Sequence, residues 1–238
     1  MDTKLIALLI FIAAYVLFVF LPRRRTWVAL AGALLVMLTG VVPPGQAFQA
    51  VNWNVMGIFV GTLVLADLFI ESRMPAYLAE RIVRHAPSTR SAMLVICLLA
   101  GVISAFVENV ATVMIIAPIA LALAEKLKIS PVSLLIAIAV SSNLQGAATL
   151  IGDPPSMLLA GFAKMNFMDF FFYKGRPSLF FAVQLGAAAS LANLAWLFRP
   201  HARKVLLPLS EKIRSWFPTV LLAALIAALA CSSFFDAE

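Results

Sequence analysis

A polar stretch interrupts an apolar segment that is otherwise long enough to cross a membrane. Residues 141–155 read SSNLQGAATLIGDPP, and Asp153 is the only charged residue between Lys128 and Lys164. Hydrocarbon contains no water to hydrogen-bond with free backbone groups, so non-helical chain at membrane depth is stable only where protein buries it or where it lines a cavity. An ionisable residue at such a break therefore predicts a functional site.

The composition places the chain in a lipid bilayer. Of its 238 residues, 63% are hydrophobic and 12% are charged, and the mean hydropathy is +1.01. A soluble domain is about half apolar and a quarter charged. The net charge of +7 would suggest a nucleic-acid partner in a soluble protein, but here the basic residues lie in short loops between apolar segments. We therefore expect the bilayer, and no nucleic acid, as a partner.

Several apolar segments are long enough to span a membrane, which takes roughly 20 residues. These segments are 5–21, 26–42, 53–70, 179–198 and 216–235. In the third, Gly57 and Gly61 form a G-x-x-x-G pattern, which permits close packing of helices. Residues 72–90 mix basic with apolar positions and predict a helix lying in the membrane interface. Residues 200–214 predict a similar surface connector.

Two further regions do not fit simple spans. Residues 91–124 carry one charge, Glu108, at their midpoint, and each arm of about 15 residues is short for a full crossing at ~1.5 Å per residue. This pattern favours a re-entrant helical hairpin, with two short full spans as the alternative. Residues 131–163 divide into arms of about 11 and 10 residues around the break at 141–153, and these arms together predict one discontinuous helix.

The distribution of basic residues predicts the orientation of a multi-pass protein in the cell inner membrane. If the N-terminus lies outside, fourteen of the 18 Lys and Arg residues fall on the inner side. The four on the outer side are Lys4, Lys164, Lys174 and Arg176. Inner loops carry the excess of basic residues in such proteins. The loop 71–90 and the connector 200–214 are therefore expected to be cytoplasmic.

The first group of candidate ligand-binding residues lies at the break. Asp153 suits a helix N-cap and Pro154 suits the first helical turn. The half-helix that follows is expected to direct free N–H groups and its positive end toward an anion. The preceding half-helix is expected to end near Ser142, where carbonyl groups and the side chains of Ser142, Asn143 and Thr149 could hold a cation.

The second group lies at the tip of the predicted hairpin. Glu108 has no basic neighbour in sequence, and a carboxylate at low dielectric can take up and release a proton. Glu108 is therefore the first candidate for a coupling carboxylate and Asp153 the second, with a solvated loop acid as the alternative for Glu108. Gly146 and Gly152 allow the backbone to turn and to approach a ligand closely. No catalytic pair, metal-ligand spacing or nucleotide-binding loop is visible, so we expect no enzyme.

Two motifs resemble the signature of a known group. The pattern S-N-x-x-G-x-x-T-x-I-G-D-P-P at 142–155 and the segment FVENVATV at 106–113 resemble the ion transporter superfamily. The nearest branch contains arsenite permeases, NhaD-type sodium/proton antiporters and the melanosomal P protein. Glu108 stands where Asp is more usual, Gln145 where a second glycine is common, and Ser156 where Asn is usual. These departures leave the transported ion open.

The resemblance implies an all-α inverted-repeat fold with one hairpin and one broken helix in each repeat. It places Asn109 and Thr112 at the hairpin tip. It implies an unwound linker formed by Ser142, Asn143, Gly146 and Thr149.

The resemblance also implies secondary active transport of a small ion, either an inorganic or organic anion or a Na⁺/H⁺ exchange, coupled to H⁺ or Na⁺. No cofactor is expected beyond a coupling Na⁺ held by carbonyl groups and by Asn109 and Asn143. An ion channel of the same architecture and an inactive remnant stay open as alternatives.

Only one set of these motifs is present, whereas the family it resembles carries a second hairpin and a second broken helix. We therefore expect residues 1–199 to form the first repeat, 200–214 the connector, and 215–238 the first helix of a second repeat within a longer protein. The alternative is a half-transporter subunit that pairs with a second copy of itself or with a separate second half.

Overall fold

The computed structural model describes residues 3–127, 130–200 and 212–235, and the described residues are predominantly helical. The helices are α1 (Thr3–Phe20), α2 (Arg25–Leu38), α3 (Pro44–Ala50), α4 (Trp53–Glu71), α5 (Met74–His85), α6 (Thr89–Ser104), α7 (Asn109–Leu127), α8 (Val132–Gly146), α9 (Pro154–Ala163), α10 (Leu179–Leu197) and α11 (Phe217–Phe235). Among them, α1, α4 and α10 are long and apolar enough to cross a membrane. The chain is thus an all-α membrane protein. It divides into two compact units, residues 1–53 and 54–238.

The first unit pairs α1 with α2 across a 3₁₀ turn at Pro22–Arg24. No described residue of α1 is buried, as expected for an apolar helix that faces lipid. The predicted span 26–42 is helical only to Leu38, because Gly40 adopts a left-handed conformation (φ +72°) that ends the helix. The short α3 follows at Pro44, where the sequence predicted only a turn.

Helices α6, α7 and α8 form the centre of the second unit, and α10 packs against α6 and α8. Their fully buried side chains include Ile96 on α6, Ile116 on α7 and Ile138 on α8. Ser88 and Ser91 exchange backbone-to-side-chain hydrogen bonds of 3.1 and 3.2 Å, and this capping box starts α6. The predicted hairpin region 91–124 is therefore two packed helices joined by a turn at residues 105–108.

Helix α5 is the amphipathic helix predicted within 72–90, but its apolar residues face protein. Met74, Ala79 and Val83 are buried in the same core cluster as α6 and α7. Burial of these residues adds protein contacts to α5, and its location in the membrane interface stays a prediction. The G-x-x-x-G pattern on α4 also lacks a helix partner within the described chain, because a Cβ added at Gly57 or Gly61 would meet no atom within 4 Å.

A second apolar cluster joins α9, the loop before it and α11. Phe170 is fully buried in this cluster beside Phe167. A two-stranded hairpin follows, with β1 at Phe172–Tyr173 and β2 at Arg176–Pro177. Residues 201–211 of the predicted connector lie outside the described residues. Within 212–214, the backbone N–H of Arg214 donates to the Ser72 carbonyl at 2.9 Å.

Candidate functional site

The predicted helix break exists, but it is shorter than predicted. Helix α8 continues through Ser142 and Asn143 to Gly146, and non-helical chain runs only from 147 to 153. The expectations that α8 ends near Ser142, and that these three residues lie in an unwound linker, are therefore wrong. The side chains of Ser142 and Asn143 form hydrogen bonds with Asn109 and Ser104 while both residues remain helical, so α8 continues to Gly146. Thr149 does lie in the break.

The hairpin turn and the end of α8 meet through polar side chains. Asn109 Nδ2 donates to Asn143 Oδ1 at 2.6 Å. The Ser142 hydroxyl lies 3.0 Å from the Ser104 hydroxyl and 3.0 Å from the Asn109 carbonyl oxygen. Ser104 and Ser142 are fully buried, whereas Asn109 is half-buried and Asn143 is exposed. The amide pair, Asn109 and Asn143, is thus the accessible part of the junction. The hydrogen bond between Ser104 and Ser142 is its buried part.

The break itself is fixed to the C-terminal end of α6. The hydroxyl of Thr149, which is fully buried, donates to the Ala105 carbonyl. A Cβ added at Gly152 would lie 2.9 Å from the Ser104 carbonyl oxygen and 3.0 Å from that of Ala105, with the Gly146 carbonyl oxygen closer still. Only glycine permits this approach. Thr149 and Gly152, which lie in the break, are therefore packed against the backbone at the C-terminal end of α6.

The N-terminus of α9 has no N–H group to offer an anion in its first turn. Pro154 and Pro155 have no N–H, and the N–H of Ser156 donates to Asp153 Oδ1 at 2.9 Å. The N–H of Met157 donates to the Asp153 carbonyl at 3.3 Å. The expectation that this helix end attracts an anion through free N–H groups is wrong, because the carboxylate of Asp153 already occupies it.

Glu108 plays the same local role at the start of α7. Its Oε2 accepts a hydrogen bond of 2.9 Å from the N–H of Ala111. Its carbonyl accepts from both the N–H and the hydroxyl of Thr112, at 3.0 and 3.1 Å. Thr112 is fully buried, and its hydroxyl is hydrogen-bonded to the first turn of α7 and does not reach the accessible part of the junction. Glu108 is half-buried beside Asn109, and within the described chain its carboxylate shows no hydrogen bond other than that from Ala111.

The described residues of the site include two carboxylates at helix N-termini and an amide pair that joins α7 to α8. Within the described chain, neither Glu108 nor Asp153 forms an ion pair with a cationic side chain. The same part of the chain contains no group of three His, Cys, Asp or Glu residues that could hold a metal ion.

Comparison with known proteins identifies the family. The model of the CitMHS family, described as citrate transporters, matches residues 15–237. The chain belongs to this family. It is 34% identical over 172 residues to an uncharacterized transporter of Mycobacterium tuberculosis, covering 70% of this chain and 40% of that protein. It is 33% identical over 160 residues to the P protein of Sus scrofa, covering 65% of this chain and 19% of that protein.

The human P protein is also similar, at 30% identity over 186 residues, which cover 76% of this chain and 22% of that protein. These relatives confirm the resemblance to the ion transporter superfamily, and membership of a transporter family agrees with the expectation that the chain is not an enzyme. The chain spans about two fifths of the length of the mycobacterial relative. No solved structure matches the chain.

One polar contact was not predicted from the sequence, a pair of hydrogen bonds between Gln145 and Gln184. Gln145 Nε2 donates to Gln184 Oε1 at 3.0 Å, and Gln184 Nε2 donates back to Gln145 Oε1 at 2.9 Å. The pair joins the end of α8 to α10. Gln184 lies within an uncharged apolar span, and a lone amide in such a span is the signal that could have identified it.

We expect the glutamine pair to be energetically coupled. Gln184→Met leaves the buried amide of Gln145 without its partner and should destabilise the protein. Once Gln184→Met is present, adding Gln145→Met should destabilise the protein less than that first substitution did. Interhelical hydrogen bonds in membranes contribute about 0.6–2 kcal/mol. A double-mutant cycle measured by unfolding in mixed micelles checks this expectation. Strictly additive single effects would show that the two amides act independently.

Proposed function

We propose that this chain forms one half of a secondary active transporter that moves a small ion across the cell inner membrane. The main support is the junction at Asn109 and Asn143, where the hairpin turn meets the helix break. In this proposal α6 and α7 form a re-entrant hairpin, and α8 and α9 together make one discontinuous crossing. Residues 1–199 are the first repeat, the N-terminus lies outside, and α11 opens a second repeat.

The charges of the site favour a cation as the ligand that this half binds. Glu108 and Asp153 occupy the N-terminal ends of α7 and α9, so the positive ends of both helix dipoles already face a carboxylate. Asn143 Oδ1 and the free oxygen of Glu108 supply further negative potential. We therefore propose that the coupling ion, Na⁺ or H⁺, is held between Asn109, Asn143 and Glu108.

An organic anion fits the same arrangement only together with a cation. The family description names citrate, whose carboxylates would be repelled by Glu108 and Asp153 unless a cation lies between them. A cation bound at the amide pair would reverse that local charge. We propose a small carboxylate anion as the substrate, with the cation bound first and the anion second.

The test is uptake into proteoliposomes that contain the complete gene product including this chain. Radiolabelled citrate is supplied with an inward Na⁺ gradient, with an inward proton gradient, or with neither. We expect accumulation above equilibrium with one of the two gradients only. Flux that merely equilibrates under all three conditions would indicate a channel and contradict a coupled mechanism.

We expect Glu108→Gln to separate the two coupling ions. The glutamine oxygen can still accept the hydrogen bond from Ala111, so the substitution should lower the free energy of unfolding by well under ~1 kcal/mol. The variant cannot exchange a proton. If H⁺ is the coupling ion, citrate uptake in the variant becomes independent of the proton gradient. Unchanged dependence on that gradient would remove Glu108 from the coupling role.

Asp169→Asn is the matched control for this substitution. Asp169 Oδ2 accepts a hydrogen bond of 2.8 Å from the N–H of Asn166, so it is also a local backbone cap. It lies on the segment after α9, outside the two motifs that meet at the amide pair. The control removes one carboxylate without changing the site, and the proton dependence of uptake should persist.

A further inference from the structure

A second potential binding site lies between α5 and α6, at the opposite end of α6 from the amide pair. A groove of about 540 Å³ opens there. Leu78 and Ile82 from α5 and Val95 from α6 form its apolar wall, and Arg81 and His85 form its basic edge. None of the described residues that line the groove is acidic. The groove thus combines an apolar surface with positive charge.

The basic edge is held in place by contacts within α5. Arg81 Nη1 donates to the Tyr77 hydroxyl at 2.7 Å, and its guanidinium carbon lies 5.9 Å from the centroid of the Tyr77 ring. His85 Nδ1 donates to the Arg81 carbonyl at 2.7 Å. An arginine has five N–H donors, so the bond to Tyr77 leaves donors of Arg81 for an acceptor in the groove.

Chain connectivity places the groove at a membrane surface. Helix α5 follows α4, a candidate span that ends at Glu71, and precedes the apolar α6, which begins at Thr89. A short amphipathic helix between two apolar helices lies at the boundary between hydrocarbon and water. The excess of basic residues in the 71–90 loop assigns that boundary to the cytoplasmic side, where anionic lipids attract basic segments.

We propose that this groove binds one anionic phospholipid, with its phosphate at Arg81 and an acyl chain along Leu78, Ile82 and Val95. The charge of the edge matches a phosphate diester, and the apolar wall matches hydrocarbon. A free phosphate would leave the apolar wall uncovered. The lipid would rest on both α5 and α6 and thereby tie the amphipathic helix to the arm that carries Ser104.

The experiment measures lipid retained by the purified full chain, by native mass spectrometry after exchange into micelles with phosphatidylglycerol or phosphatidylcholine. We expect one phosphatidylglycerol molecule to be retained in preference to phosphatidylcholine. Arg81→Gln should lower its apparent affinity about fivefold, as expected for one basic residue near a lipid phosphate. Thermal unfolding in phosphatidylcholine alone confirms that the variant remains folded.

Arg84→Gln provides a matched control, since Arg84 is exposed on the same helix and is absent from the groove lining. It should retain phosphatidylglycerol as the unmodified chain does. Equal losses in the two variants would show diffuse attraction to charge and overturn the proposal. Equal retention of both lipids, or competition by glycerol phosphate as strong as that by the whole lipid, would also overturn it.

Discussion

Gly152→Ala should unfold the junction between the helix break and the hairpin turn. The added methyl group would lie within 3.0 Å of the carbonyl oxygens of Ser104 and Ala105, and closer still to that of Gly146. These atoms belong to backbone at the ends of α6 and α8, so they cannot rotate away as a flexible side chain would. Overpacking a well-ordered interior costs about 1–3 kcal/mol, and three simultaneous backbone clashes place this variant at the upper end.

The same substitution should also abolish transport by the complete gene product, because it separates Thr149 from the Ala105 carbonyl and displaces the break. Thermal unfolding in detergent and citrate uptake in proteoliposomes measure the two effects. Gly61→Ala is the control, since a Cβ added there meets no atom within 4 Å in the described chain. A melting temperature for Gly152→Ala equal to that of the control would refute this view of the junction.

Many of the helices could be predicted because they depend on local properties of the chain. Apolar length indicated α1, α4, α10 and α11, and the Asp153-Pro154-Pro155 run indicated the start of α9. Both kinds of signal act within one or two helical turns. The proximity of residues 109 and 143 came from the family resemblance, and the hydrogen bond between them agrees with it.

The end of α8 could not be predicted from its own residues. Ser142 and Asn143 are poor helix formers that often mark a helix end, yet here Ser104 and Asn109 on other segments satisfy their side chains. The sequence contains no local trace of those partners. The same reason explains the burial of the apolar face of α5, which depends on where α6 and α7 lie.

The free N–H groups expected at the start of α9 are absent for a related reason. A helix N-terminus predicts an anion site only if its N–H groups are free. At α9 two of the first positions are prolines and the third N–H is bonded to Asp153. The sequence alone shows the prolines and the aspartate, and combining them as a closed cap would have argued against free N–H groups at this helix end.

Asn143→Leu should raise the KM for the coupling cation about 10- to 100-fold, the range expected when a ligand interaction of about 1.5–3 kcal/mol is lost. The substitution removes Oδ1, which accepts the hydrogen bond from Asn109. Because Asn143 is exposed, the folded state should keep most of its stability, so the loss would be one of binding.

Cation-dependent uptake by the complete gene product, measured with thermal unfolding of the same preparations, checks this expectation. Asn193→Leu on α10 is the control, since it makes the same change at another exposed asparagine within an apolar helix. Asn109→Leu combined with Asn143→Leu should be little worse than Asn143→Leu alone, because the two amides hold one ion together. Independent, multiplying effects of the two substitutions would mean that the pair does not form a single binding site, and the cation would then have to be held elsewhere.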